Sequence, residues 1–375
     1  MQLDFHYYCI GVLARAAGFR PADALTIAYA SQYVDNAVEG DPITVGETGM
    51  RFDPVRTAYF GIKSMDWSVH KRVFVPFHFL PPKPLARYPS EFDFVTQPDS
   101  PFARKLLAHA LQVPGRRQRL CAIGIALHTY ADTWAHQSFS GRKSVSIAGY
   151  KENDAEKLLV YQDGEWKSTG FSLMGFFAPE LGHAEAGFLP DLSFCTWRYT
   201  SNNQETEPRD NRQMFMEAAH KIYDWLCGVV DEENKEPAGP DRVPWKVFAP
   251  RIEKLFSEPS RERSLWNLGA QKRDLKRRCQ KWEQEFGRDK AFFYDPEWDS
   301  FEPFHYDQTA WREEAFTEPG TDPSFEAAEF HWEKLRRHQL RALQYEIWPE
   351  FWDSFWVNFH RAALKQRHFV LENIP

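Results

Sequence analysis

Apolar positions in the first third of the chain fall into helix-spaced runs. From about Phe5 to Ala17 the stretch is apolar and alanine-containing, and it stops at Gly18, a residue suited to the left-handed position just past a helix. Pro21 then opens a second helix that runs to about Val38, and the short Gly18-Phe19-Arg20 link makes the two antiparallel neighbours. On the second helix Ala24, Ala28, Ser31 and Asp35 form a stripe of small residues that ends in a carboxylate, so a close-packed partner helix would enclose Asp35. Between Gly40 and about Ser100, Pro76, Pro81, Pro82, Pro84 and Pro89 forbid long helices, and a loop of that length is more often functional than idle. Helix resumes from about Pro101 to Gln112. After Gly115 comes a helix whose face is the most informative pattern in the sequence.

That face carries His128, Asp132 and His136 at successive steps of four, which places all three side chains on one side of an α-helix. Cys121 and Ile125 border the stripe on one flank; Ile123, Leu127, Tyr130 and Trp134 border it on the other. A polar stripe between two apolar borders is sunk into a core, where imidazoles and carboxylates need partners. A divalent ion uses both residue types at once. The two histidines stand about 12 Å apart along the axis, too far to share one ion comfortably, so the pattern favours more than one ion with Asp132 between them. The bland alternative is a buried polar network without metal.

Further along, Ser138 to Gly170 reads as a surface excursion with a hairpin around Val160–Trp166, turned at Asp163-Gly164. A strong amphipathic helix spans about Asn211 to Val230. Residues 231–244 read as a linker, which divides the chain into a helical metal-binding domain, 1–230, and an aromatic- and charge-rich helical region, 245–375. Within that second region, long helices cover about 245–288 and 325–372. Its histidines, His305, His331, His338, His360 and His368, have no regular spacing with carboxylates, so the region reads as support or recognition, with partner binding or self-association through its helices. Arg273, Lys276, Arg277 and Arg278 are a local basic cluster, read as a solvated helix face or a phosphate patch. The fold class is all-α.

Composition narrows the function classes. The net charge of −7 gives no electrostatic case for a broad nucleic-acid surface. No stretch approaches the run of about 20 apolar residues that spans a bilayer, and the N-terminus lacks a secretory pattern. Five scattered cysteines without a C-x-x-C pair speak against a disulfide framework and for a reducing cytoplasm, so any metal is held by His and carboxylates. No G-x-S-x-G nucleophile motif, phosphate loop or His-Asp dipeptide occurs.

The ordered series His6, Asp35, His78 (with His70 as competitor), His128, Asp132, His136 and His183 resembles the zinc-dependent phospholipase C and single-strand nuclease superfamily. The segments Asp4-Phe5-His6-Tyr7-Tyr8, Ala30–Asp35 and Gly182–Gly187 also resemble an uncharacterised family of bacterial cytoplasmic proteins with an N-terminal DFHYY motif. The likeness covers roughly 1–230. It implies an all-helical fold with one to three zinc ions, manganese, iron and nickel remaining open, and a phosphoester substrate, either phospholipid or nucleic acid. By the same likeness Asp132 is a bridging carboxylate beside His128, and Asp35 a ligand that also orients or deprotonates the attacking water. Those two are the catalytic candidates. His78 completes their shell, His6 belongs to a second ion, and His136 and His183 to a third with Glu185 or Asp191. Two departures stand out. Superfamily members use the α-amino group of a processed N-terminal Trp, where this sequence has Met1, so Asp4 is the expected substitute. Position 187 is Gly where a carboxylate belongs. The alternative to a hydrolase is a helical scaffold whose metal is structural.

Overall fold

A π-helical stretch, Asp4–Cys9, leads directly into α1 (Ile10–Ala17), which Gly18 ends at φ 112° with its N–H shared between Ala14 and Arg15 carbonyls. The computed structural model describes residues 1–45, 50–59, 66–140, 158–168, 186–201, 204–234, 242–261, 268–316, 344–345 and 351–374. Helix α2 (Pro21–Asn36) starts with Pro21 in its first turn. Short α3 (Trp67–Val69) and α4 (Val75–Phe77) flank a second π-helical stretch, His70–Phe74, in the proline-rich segment. Helix α5 (Pro101–Leu111) is capped by Ser100, and α6 (Arg116–Ala135) carries the His/Asp stripe. The later helices are α7 (Asn211–Asn234), α8 (Trp245–Phe256), α9 (Leu268–Phe286), α10 (Ala310–Ala315) and α11 (Phe355–Glu372).

Helix α6 is the axis of the molecule. It packs against α2, α5, α7 and α11, and every residue from Leu120 to Ala135 is buried. A helix enclosed on all sides is ordinarily apolar throughout. This one keeps His128, Thr129, Asp132 and Thr133 inside, so the surroundings must satisfy them. The tightest contact is at Gly124, where an added Cβ would stand 2.3 Å from the Ile27 carbonyl oxygen and 2.6 Å from the Ala30 Cβ. The small residues of α2 thus do what their pattern predicts, bringing Asp35 alongside α6.

Both sequence halves contribute to one apolar cluster. Phe5 stacks on Phe256 and meets Phe215 edge-on, and Trp356 and Phe359 belong to the same cluster. The chain is mainly helical but not all-α. A small antiparallel sheet, in the order Glu165–Ser168, Leu159–Gln162, Thr196–Arg198 and Arg209–Asp210, packs over its own cluster with Phe139, Leu189 and Trp197. The expected hairpin is there, turned through left-handed Asp163 (φ 54°) and Gly164 (φ 84°). Its pairing with Thr196–Arg198 joins segments far apart in sequence, which local periodicity does not report.

The helices expected over 245–288 are α8 and α9, with Pro259 between them unable to supply a backbone N–H. Within the expected helix over 325–372, the described residues give a 3-10 turn, Phe351–Asp353, and α11 from Phe355 onward. Gln344 and Tyr345 instead pair in parallel with Thr44 and Val45, and Ser354 caps α11 by accepting from the Val357 N–H. The remainder of that stretch, with His331 and His338, lies outside the described residues, as does most of the excursion between 141 and 157. Among the described residues no helix is long and apolar enough to cross a membrane.

Gly124→Ala lowers the unfolding free energy by about 3 kcal/mol, the upper end of overpacking penalties, because the clash is with backbone. The gain of up to about 1 kcal/mol in helix propensity does not offset it. Gly228→Ala on α7, where a Cβ meets nothing within 4 Å, is the control and is neutral or stabilising. Urea unfolding of both variants checks this; equal stabilities would mean that α2 and α6 are not in contact at Gly124.

Candidate metal centre

Five segments converge on Asp132. Helix α6 supplies His128 and Asp132, with His136 one residue past its end. Arg209 donates to the Ala135 and Gln137 carbonyls, satisfying helix-end acceptors on either side of His136. Helix α2 brings Asp35. His78 follows α4, whose seat against α6 is fixed by a short network: Gln366 of α11 donates to the Pro76 carbonyl and to Thr129 Oγ1, which itself donates to the Phe77 carbonyl. His6 sits on the first π-helical stretch, a geometry frequent at functional sites. Asp191 closes a 3-10 turn held by Asn211, which donates to the Leu189 and Leu192 carbonyls.

On one side of Asp132 three donor atoms form a nearly equilateral triangle. His78 Nδ1 is 3.1 Å from His128 Nε2 and 3.2 Å from Asp132 Oδ2, and His128 Nε2 is 3.3 Å from the same oxygen. Donors bonded to one tetrahedral zinc at about 2.0–2.1 Å stand about 3.3 Å apart. Asp35 Oδ1 approaches as a fourth donor, 3.7 Å from His128 Nε2 and 3.9 Å from His78 Nδ1. The tautomer agrees. His78 Nε2 lies 3.0 Å from the Thr57 carbonyl and must donate to it, so in the neutral ring the lone pair is on Nδ1, toward the triangle.

On the other side, Asp132 Oδ1 accepts from the Met1 α-amino group at 2.8 Å and lies 3.2 Å from His6 Nε2. The same amine donates to Asp191 Oδ1 at 2.9 Å, and His136 Nε2 is 3.3 Å from that oxygen. His136 Nδ1 is committed to the His78 carbonyl at 2.9 Å. The His6 ring stacks on His128 with centroids 3.8 Å apart, and among the described residues neither of its buried nitrogens makes a hydrogen bond of good geometry. Two overlapping groups, His6–Asp35–His128 and His78–His128–Asp132, could hold a metal ion.

The electrostatics follow from burial and crowding. Burial alone would raise Asp132, but the Met1 ammonium, His136, His128 and His6 hold its carboxyl well below the usual range. Burial, aided by His128 and the Met1 amine, pushes His6 down to about 4. For His78, burial works downward, and the hydrogen bond and charge of Asp132 outweigh it, so its value rises. The Met1 amine is lowered by burial and raised more by Asp132 and Asp191, to about 11.

The structure therefore brings together His6, Asp35, His78, His128, Asp132, His136 and Asp191. Asp4 lies elsewhere: it is buried against Arg278 and accepts from the Phe5 N–H, while the Met1 amine occupies the position beside Asp132 expected of it. His70 is buried near Phe74 and belongs to neither donor group, so His78 is the residue of that segment at the centre. His183 and Glu185 lie outside the described residues. The basic cluster splits: Arg273 and Lys276 are exposed, Arg277 pairs with Asp274 and Glu258, and Arg278 is buried between Asp4, Gln2 and Asp274. A cleft of about 720 Å³ opens over the centre, with Asp35, His78, Asp132, His136 and Asp191 in its lining. Lys272, Leu275, His305 and Tyr306 from the second half line it too. Spacing gave no sign of His305, whose partner Glu283 is 22 residues away.

The chain belongs to DUF6765, a family of unknown function whose profile matches residues 1–374. No curated protein and no solved structure matches it.

In protein stripped of metal, His6 imposes a pH dependence of definite sign. Its folded value of about 4 lies below the ordinary 6.5, so the unfolded chain takes up the proton first. The stability of the neutral buried ring is whole above 6.5 and is lost as pH falls toward 4. Measured against His6→Gln, metal-free wild type loses about 3 kcal/mol across that window. Denaturant titrations of both chains give the difference; parallel pH profiles would mean that the ring is not held neutral.

Proposed function

We propose that this chain is a divalent-metal hydrolase of phosphoesters, with zinc the first choice of ion. The observation that carries the reading is the triangle of His78, His128 and Asp132 donors, spaced as around one tetrahedral ion, with Asp35 as a fourth donor at the cleft. Mixed imidazole and carboxylate donors suit zinc, and also manganese, iron or nickel. Asp35, His78, His128 and Asp132 would hold one ion. His6, Asp132 and the Met1 amine, once deprotonated, would hold a second, and His136 with Asp191 would serve a third. Bound there, such ions would supply Lewis acidity, making water a stronger nucleophile at neutral pH and offsetting charge on phosphoryl oxygens.

The chain's own residues do the rest. The Thr57 carbonyl fixes the His78 tautomer, and the His78 carbonyl fixes that of His136. Asp132 presents one oxygen to each side of the centre. Asp35, a third exposed, is the carboxylate placed to orient a water at the cleft and accept its proton. A purely structural ion fits less well, because closed sites do not face a cleft of this size.

The test is metal content together with hydrolysis of bis(4-nitrophenyl) phosphate, for wild type and Asp132→Asn. Wild type retains at least one equivalent of metal and hydrolyses the ester. The variant loses metal, and its rate falls by more than about 100-fold, beyond what loss of a ligand's hydrogen-bond partner costs. Its helical circular dichroism stays close to wild type. Metal without hydrolysis would favour a structural ion, and wild type that takes up no metal would sink the reading.

A further inference from the structure

We infer that His305, held by Glu283, is the residue that protonates the departing oxygen at this cleft; the inference rests on the hydrolase reading above. His305 lines the cleft together with Asp35, His78, Asp132 and His136, although it comes from the opposite half of the sequence. Its Nδ1 lies 2.7 Å from Glu283 Oε1. An ionised carboxylate only accepts, so Nδ1 carries the proton of that bond and Nε2 is the nitrogen left to gain and lose one. The side chain is 70% exposed, so Nε2 can exchange protons with solvent.

An exposed histidine beside a glutamate is commonplace. This one is anchored at further points. The Tyr7 hydroxyl donates to the His305 carbonyl at 3.0 Å, and the Tyr8 hydroxyl donates to the same Glu283 oxygen that receives His305. Tyr7 and Tyr8 directly follow His6, so the stretch that places a candidate ligand also places the imidazole.

The cleft also needs such a group. The ring nitrogens of His78 and His136 are committed to carbonyls and to the donor cluster, and Asp132 is a buried anion. The neighbouring Tyr306, also in the lining, has its hydroxyl donating to Asn36, and burial raises its value far above neutrality. Imidazole is the side chain whose ordinary range suits proton transfer near neutral pH.

In the step, the oxygen of water bonds to phosphorus and the bond from phosphorus to the departing oxygen breaks. The electron pair stays on that oxygen, which takes the proton from His305 Nε2. The ring regains a proton from the one released by the attacking water, through solvent. Glu283 is a positioning residue: it orients the ring and fixes which nitrogen faces the cleft.

The experiment uses metal-loaded wild type, His305→Gln and Glu283→Gln with two phosphodiesters, one releasing 4-nitrophenolate, which departs without a proton, and one releasing an alkoxide, which does not. His305→Gln slows the alkyl ester by about 10²–10⁴-fold, the usual worth of general acid catalysis, and the nitrophenyl ester by less than about tenfold. Glu283→Gln shows the same pattern at smaller size. Metal content is unchanged in both. Nitrogen NMR shows His305 protonated on Nδ1 in wild type and shifted toward the other tautomer in Glu283→Gln. Equal losses on both esters, or no loss on either, would overturn the role of His305 while leaving the hydrolase intact. Wild type that binds metal and cleaves neither ester would overturn both readings.

Discussion

A single buried carboxylate organises this molecule. Asp132 is almost fully enclosed on a helix that is itself enclosed, and an unpaired anion there would cost several kcal/mol. The fold answers with the Met1 ammonium and gathers four imidazoles around the carboxylate, those of His6, His78, His128 and His136. Those groups arrive on separate pieces of chain, so the demand of one side chain becomes a constraint on the N-terminus, the proline-rich segment and the end of α6 together. The closeness of α2 and α6 at Gly124 belongs to the same constraint, because it brings Asp35 within reach of His128 and His78.

The second half of the sequence is part of this arrangement. Arg278 on α9 is buried with Asp4 and donates to Gln2, so it ties down the chain on both sides of Leu3 while Met1 and His6 meet Asp132. Gln366 on α11 bridges α6 to the segment before His78. Removing one partner of a buried ion pair typically costs about 3–5 kcal/mol, since the other charge stays behind unsatisfied. Residues remote from the centre in sequence therefore decide how accurately its donors are placed. The C-terminal helices share the core and also wall the cleft.

What could be read from sequence was local. The stripe on α6 was legible because a repeat of four between apolar borders has few meanings, and the stops at Gly18 and the Asp163-Gly164 turn follow from backbone preference alone. The small-residue face of α2 was legible for the same reason. Contacts that close over long separations were not. His70, followed by Lys71 and Arg72, and His78, between Phe77 and Phe79, both compete for one position in sequence, and the Thr57 carbonyl and the Gln366 network fix His78 at the centre. Asp4 is the expected substitute for the superfamily's N-terminal amine, yet Arg278, 274 residues away, claims it. His305 stood in no pattern, since its meaning comes from Glu283 and from the tyrosines beside His6. The paired strands of 158–210 were half visible: the hairpin is local, its continuation is not.

The centre is also uncomfortable without an ion, and this bears on why the donors are kept. Among the described residues both nitrogens of His6 and Nδ1 of His128 are buried without hydrogen-bond partners, and a buried unsatisfied polar group costs about 1–3 kcal/mol. His6 and His128 further stack their rings at 3.8 Å, and His78 Nδ1 faces His128 Nε2 at 3.1 Å. A structure selected for stability alone would replace some of these rings with apolar side chains. An ion held at 100 times its dissociation constant stabilises the folded chain by about 2.7 kcal/mol, comparable to the penalty for one or two unpaired nitrogens. The binding of metal and the stability of the core around α6 are then one equilibrium, and the imidazoles that weaken the empty fold are the groups through which an ion strengthens it.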